Sequence, residues 1–140
     1  MESLITMLHA GCHSLVVRNG NDTRTFDGRG VADLHRLLRC EPSLLGGASV
    51  ADKVVGKGAA ALMILGGVKV LYADVVSTPA LLLLRDSGIE VTFGREVPHI
   101  INRKGDGMCP VEALCSNCNT AAECLPLIDE FINKITQQKL

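Results

Sequence analysis

Aromatic residues are nearly missing from this 140-residue chain: it has no tryptophan, one tyrosine and three phenylalanines. Its core must therefore be aliphatic, and it has no row of rings on which nucleic-acid bases could stack. A dominant charge is missing too. The formal net charge is −1, so no global field draws the chain to nucleic acid or to an anionic membrane. Long apolar runs are also absent, and the longest, residues 59–65, is too short to cross a bilayer. The first residues lack the basic flank and extended apolar stretch of a secretory signal. The expected location is the cytoplasm. The expected partner is a small molecule rather than nucleic acid or membrane.

What is present is aliphatic. Hydrophobic residues make up 47% of the chain and the mean hydropathy is +0.27, enough to fill the core of one domain spanning 1–140. High hydropathy in a short chain also makes a homodimer an expectation. The six cysteines are unevenly placed: Cys12 and Cys40 stand alone, whereas Cys109, Cys115, Cys118 and Cys124 crowd a C-terminal helical segment, 109–140. In a cytosolic chain such thiols are expected to be reduced or to hold metal rather than to form structural disulfides.

The hydrophobic pattern predicts alternating elements. Glu2–Ala10 reads as a helix that Gly11 can end. "SLVV", "NGND" and "TRTF" read as strand, turn and returning strand. "GVADLHRLLRCEP" reads as a short helix stopped by Pro42, and "EPSLLGGAS" as a loop. Ser49 is read as the cap of a helix over residues 49–65, with Asp52 in the capping-box position and Gly66-Gly67 as its end. "VKVLYADVVS" is a central strand. "TPALLLLRDSG" is a helix with Thr78 as cap and Pro79 at the first position. "IEVTFG" is a strand and "VPHIIN" a weaker edge segment. "CPVEALCSN" starts a helix at Pro110, and "AAECLPLIDEFINKITQQ" is a closing amphipathic helix that Pro126 could split or kink. The fold class expected is α/β, an α/β/α sandwich with a mixed sheet and an N-terminal β-hairpin.

This order resembles the cytidine-deaminase-like fold. In zinc deaminases the helix after the hairpin carries H-x-E, and the next begins P-C-x-x-C. The corresponding slots are "DKVVGKGAA" and "STPALLLL". No His or Glu lies between Ser49 and Leu65, and Ala80 and Leu83 stand where the two cysteines would be. Without those ligands and the proton-shuttling Glu, metal-activated water has no basis there. Zinc-dependent deamination is therefore excluded at that place. The chain also looks like a prokaryotic family of unknown function that shares the fold without the zinc motif. "GKGAA", "YADVVS", the pair Asn102–Arg103 and "CPVE" carry that resemblance over about residues 15–112. It implies a fold and no reaction.

Three constellations could carry chemistry. Lys53 and Lys57, four apart, would share a helix face near Asp52. Gly56 and Gly58 each cost about 1 kcal/mol in a helix interior, a cost that close packing or room for a ligand would offset. Lys57 could floor a pocket as an anion clamp or as an amine made less basic by burial, or snorkel past the core. In "GDGMCPVE", Cys109 is the N-cap before Pro110, beside free N–H groups that stabilise a thiolate. It could be a nucleophile with Lys57 as its electrostatic partner, a metal ligand, or a weak cap. Finally, Cys109, Cys115, Cys118 and Cys124 could wrap zinc or an iron–sulfur cluster, serve as a redox C-x-x-C, or be buried apolar thiols. Their spacing matches neither a standard zinc ribbon nor a ferredoxin.

Asp74, near the end of a buried strand, and Ser77, before a helix, sit where α/β proteins bind ligands. Ordinary capping also accounts for Ser77. Arg103 could meet a phosphate. His9, His13, His35 and His99 are scattered without ligand spacing. The function expected is a ligand pocket for a small or nucleotide-like molecule, using Lys57, Asp74 and Cys109 with Asp52, Lys53, Ser77 and Arg103. The alternative is a non-enzymatic metal-binding or redox-sensing module built on the four late cysteines.

Overall fold

The computed structural model describes residues 1–28, 31–102 and 105–138. In chain order the elements are α1 (Glu2–Ala10), β1 (Leu15–Asn19), β2 (Asp22–Phe26), α2 (Ala32–Cys40), α3 (Pro42–Leu45), β3 (Ser49–Val55), α4 (Lys57–Gly66), β4 (Val70–Ser77), α5 (Thr78–Arg85), β5 (Glu90–Val97), α6 (Pro110–Cys115) and α7 (Ala121–Gln138). The five strands form one mixed sheet in the order β2-β1-β3-β4-β5. β1 pairs antiparallel with β2 and β3. β3, β4 and β5 run parallel. The opening hairpin turns on Gly20, whose φ of +59° suits glycine in a tight turn.

Two apolar clusters sit on the sheet. The larger joins Val17, Val50 and Leu71 to α2, α4, α5, α6 and α7. The smaller packs Leu4 and Leu8 of α1 on Val16 and Ala51. α4 lies inside the larger cluster, with residues from Lys57 to Met63 buried. That is why its sequence is Ala-rich and lacks a polar face. Gly58 serves this packing: a Cβ there would lie 2.3 Å from Val111 Cγ1 on α6. Its cost as a helix residue is offset by the approach of α6, not by room for a ligand.

Several elements differ from expectation. Residues 49–55 are a strand, not the first half of a helix. Ser49 therefore caps nothing, and Asp52 and Lys53 are strand residues rather than helix partners of Lys57. Val50, Val54 and Val55 favour the pleated backbone, and the slot between β1 and β4 supplies both ladders. Tertiary pairing outweighs the Lys/Gly spacing that read as helix. The helix begins only after Gly56, its N-cap. "EPSLLGGAS" contains the short α3, with Pro42 in its first turn. Ser77, not Thr78, caps α5. α7 runs unbroken past Pro126. "VPHIIN" contributes the last residue of β5 and one isolated bridge, Ile101 to Met108.

The strand alternation slips by one residue across the sheet. Val50 and Val55 sit in the same cluster although five apart, as do Leu71 and Val76, which strict two-residue periodicity forbids. Pairing skips the row Lys53, Asp74 and Gly94. A Cβ on Gly94 would come within 2.9 Å of the Asp74 carbonyl oxygen. Among the described residues no helix is long and apolar enough to cross a membrane.

Candidate functional site

The three parallel strands deliver their carboxyl ends to one region. Lys57 begins α4 after β3, Thr78 begins α5 after β4, and Pro98 follows β5. With His99, Leu82 and the loop residues Ser116 and Cys118, they line a cleft of about 570 Å³. Its place is where open α/β sheets bind ligands. Its apolar wall is Pro79, Leu82, Leu83 and Pro98, and its polar groups are Lys57, Thr78, Asp86, His99, Ser116 and Asn119.

Lys57 is buried, yet its side chain reaches the cleft. Its Nζ donates to the carbonyl of Ser116 at 3.3 Å and to that of Cys118 in a short contact. Both carbonyls belong to the turn that ends α6, so the ammonium sits at the negative end of that helix. An ammonium has three donors, and these two bonds leave one. The Lys57 backbone N–H goes elsewhere, donating to Glu112 Oε1 at 2.8 Å.

Glu112 is the organising residue, in a role that its capping-box spacing does not announce. It stands three after Cys109, where a capping-box acid would bond back to the cap. Instead the Cys109 N–H donates to the Ile100 carbonyl at 2.8 Å, and the Glu112 carboxylate turns inward. Besides Lys57 it accepts from Ser77 Oγ at 3.2 Å and from the Ile100 N–H at 2.8 Å. It thereby ties the starts of α4 and α5 to the segment after β5. Its negative charge sits at the N-terminus of α4, where the helix dipole favours it.

The expected site residues divide accordingly. Lys57 lines the cleft. Ser77 is fully buried and is an ordinary cap: the Ala80 N–H donates to its Oγ at 3.2 Å. Cys109 is the N-cap of α6, as expected, but its side chain makes no capping bond and does not line the cleft. The cleft's thiol is Cys118. Lys53 is exposed on β3. Asp52 is buried beside the row where the alternation slips, with its carboxyl pushed up to about 7 by burial, against backbone hydrogen bonds from Val54 and Lys53. Asp74 accepts from Tyr72 Oη at 2.8 Å and pairs with His9 Nε2 at 2.7 Å. Tyr72 packs with the α1 cluster, so Asp74 and His9 form a separate polar group away from Lys57. Arg103 lies outside the described residues.

The four-cysteine metal set is not assembled. Among the described residues no three His, Cys, Asp or Glu side chains are grouped so as to hold a metal ion. Cys109 and Cys115 stand at opposite ends of α6, and among the described residues the four thiols form no zinc or iron–sulfur site. Cys115 and Cys124 are fully buried and Cys118 nearly so.

A second hollow, of about 230 Å³, lies between the hairpin and α3. Its polar groups are taken: Arg24 pairs with Glu41, and the Asn19 amide donates to the carbonyls of Ser43, Leu44 and Gly46.

Residues 3–132 match the protein family described as "TM1506: Domain of unknown function (DUF1893)". A solved structure, that of a DUF1893 family protein (TM1506) from Thermotoga maritima, superposes with a TM-score of 0.85 at 25% identity, covering 92% of this chain and 87% of that one. No protein of curated function matches the sequence.

Proposed function

The chain belongs to the DUF1893 family of domains of unknown function, and from that membership, which brings no reaction with it, we propose a small-molecule-binding domain whose ligand occupies the cleft at the carboxyl ends of β3, β4 and β5. The architecture would be cytidine-deaminase-like with the zinc chemistry absent. The hairpin, the parallel β3-α4-β4-α5-β5 run and the strand order support that likeness. Lys57 stands at the start of α4, the helix that carries H-x-E in zinc deaminases, and Ala80 and Leu83 follow Pro79 where the thiolates would be.

The observation that carries the proposal is Lys57: a buried cation lining a cleft that has an apolar wall, with two of its three donors fixed on carbonyls. A ligand with an apolar body and one anionic or strongly accepting group fits that lining. The body would lie on Leu82, Pro79 and Pro98, with the acceptor against Lys57 and His99. This is the nucleotide-like class.

Calorimetric titration with nucleosides, nucleoside monophosphates and small carboxylates tests it. Leu82 is 57% exposed on the cleft wall, so Leu82→Glu leaves the fold intact while placing a like charge beside an anionic ligand. Ligands that bind the native chain should lose at least tenfold in affinity, about 1.4 kcal/mol. A ligand whose Kd is unchanged by Leu82→Glu and by Lys57→Met binds elsewhere, and the proposal fails.

A further inference from the structure

Three of the late cysteines share one place. Cys115 ends α6, Cys118 sits on the cleft wall, and Cys124 lies near the start of α7; all three belong to the larger apolar cluster. The Cys118 N–H donates to the Cys115 carbonyl at 3.0 Å, so "CSNC" closes a four-residue turn. The ends of such a turn lie within about 7 Å, Cα to Cα. A disulfide spans about 4.4–6.8 Å. Lys57 holds the same turn through the carbonyls of Ser116 and Cys118. The turn is therefore braced, cationic on one side, and reached from the cleft through Cys118.

We propose that Cys115 and Cys118 are a reversible dithiol–disulfide pair, oxidised by small disulfides that enter the cleft. The Cys118 thiolate attacks one sulfur of R–S–S–R, forming a mixed disulfide and releasing RS⁻, which takes up a proton. The Cys115 thiolate then attacks Sγ of Cys118, closing the intramolecular bond and releasing the second RS⁻, which is also protonated. Two protein S–H groups and one R–S–S–R become one protein S–S and two R–S–H. The protein loses two electrons and two protons, and the small disulfide gains them.

The surroundings fit these unequal roles. The neighbouring Cys124 side chain, with help from the Lys57 ammonium, holds Cys115 below the ordinary thiol value, against burial, Cys118 and Glu112. This suits the resolving thiolate. Burial, with Cys124 and Glu123, pushes Cys118 up against the pull of Lys57. Cys118 is the reachable thiol and the slower one, so the first exchange limits the rate. Cys109, beyond the far end of α6, takes no part.

The test is oxidation of the reduced full chain by glutathione disulfide, with acid quenching and peptide mass mapping. Cleavage after Glu112 and Glu123 isolates residues 113–123, which contain Cys115 and Cys118 and no other cysteine. That peptide should lose the mass of two hydrogens, retain no glutathionyl group, and regain its mass with dithiothreitol. In Cys115→Ser it should keep one glutathionyl group on Cys118. Cys12 and Cys40 are exposed, and their adducts report that the reagent was active. Adducts on Cys12 and Cys40 with residues 113–123 unchanged would overturn the proposal. So would a bridge from either thiol to Cys124. The native-chain map decides the matter even if Cys115→Ser fails to fold.

Discussion

The Lys57 amide, not its ammonium, meets the Glu112 carboxylate, at 2.8 Å, while the ammonium turns to the carbonyls of Ser116 and Cys118. One residue thus joins the start of α4 to both ends of α6. Glu112 answers for the backbone and the α6 turn answers for the side chain. The two charges are held in fixed places by separate partners, and among the described residues the third ammonium donor meets no carboxylate.

Removing the carboxylate should cost more than any surface change. Glu112 accepts from Lys57 N–H, Ile100 N–H and Ser77 Oγ while almost wholly buried. Each buried donor left without a partner costs about 1–3 kcal/mol. Glu112→Ala should therefore lower unfolding stability by more than ~3 kcal/mol in urea titration. Glu112→Gln keeps one acceptor oxygen and should lose less. Equal losses for the two would mean that the hydrogen bonds contribute little.

Gly58→Ala should destabilise despite the better helix propensity of alanine. The new methyl would sit 2.3 Å from Val111 Cγ1. Overpacking costs roughly 1–3 kcal/mol, more than the ~1 kcal/mol gained in propensity. Val111→Ala removes the clashing atom. The double variant should be more stable than the sum of the two single changes predicts, as denaturant midpoints would show.

How far the sequence foretold this arrangement depended on how locally each signal was written. The hairpin, β4, α5 and α7 declare themselves through turn residues, β-branched runs and caps a few positions away. β3 did not, because its identity comes from β1 and β4 on either side, whereas its own Lys53, Gly56, Lys57 and Gly58 spacing mimics a helix. The site split in the same way. Lys57 was visible as an oddity in an apolar helix. Asp52 looked like a pocket carboxylate at the start of a helix and Asp74 like one near the end of a strand, but Asp52 is a buried residue within β3 and Asp74 is held by Tyr72 and by His9 of α1. Glu112 and His99 owe their roles to contacts 55 and 35 residues away in the cases of Lys57 and Ser77 and to the cleft wall, which no short-range pattern encodes.

One local signal was there to be read. "TAAE" ahead of α7 has the spacing of a capping box. The Glu123 N–H donates to Thr120 Oγ1 at 3.2 Å, and the Asn119 N–H donates to Glu123 Oε2 at 3.4 Å. Thr120→Ala should cost about 1 kcal/mol. Thr120→Ser, which keeps the acceptor, should cost much less. Thermal melts of both variants would check this, and a Thr120→Ala melt identical to that of the native chain would show the cap to be idle.

Asp52 makes the chain's stability depend on pH in an unusual direction. Its carboxyl is pushed up to about 7 because the side chain is buried, against about 3.9 in an unfolded chain. Between those values the folded state holds a proton that the unfolded state has released. Stability therefore falls as pH rises, at up to about 1.4 kcal/mol per pH unit. The contribution is whole below pH ~4 and is lost as pH climbs through about 7. Asp129 has the opposite sign. Burial raises it, but hydrogen bonds from Arg39 and His35 outweigh that and hold it below the ordinary carboxylate value, so its contribution is lost as pH falls into the acid range. Urea titrations from pH 4.5 to 8.5 should show the native chain weakening toward the alkaline end. Asp52→Asn, which carries no charge to desolvate, should be flatter and should exceed the native chain in stability above pH 7. If the two curves stay parallel across that range, Asp52 is ionised in the fold and its burial is relieved by water.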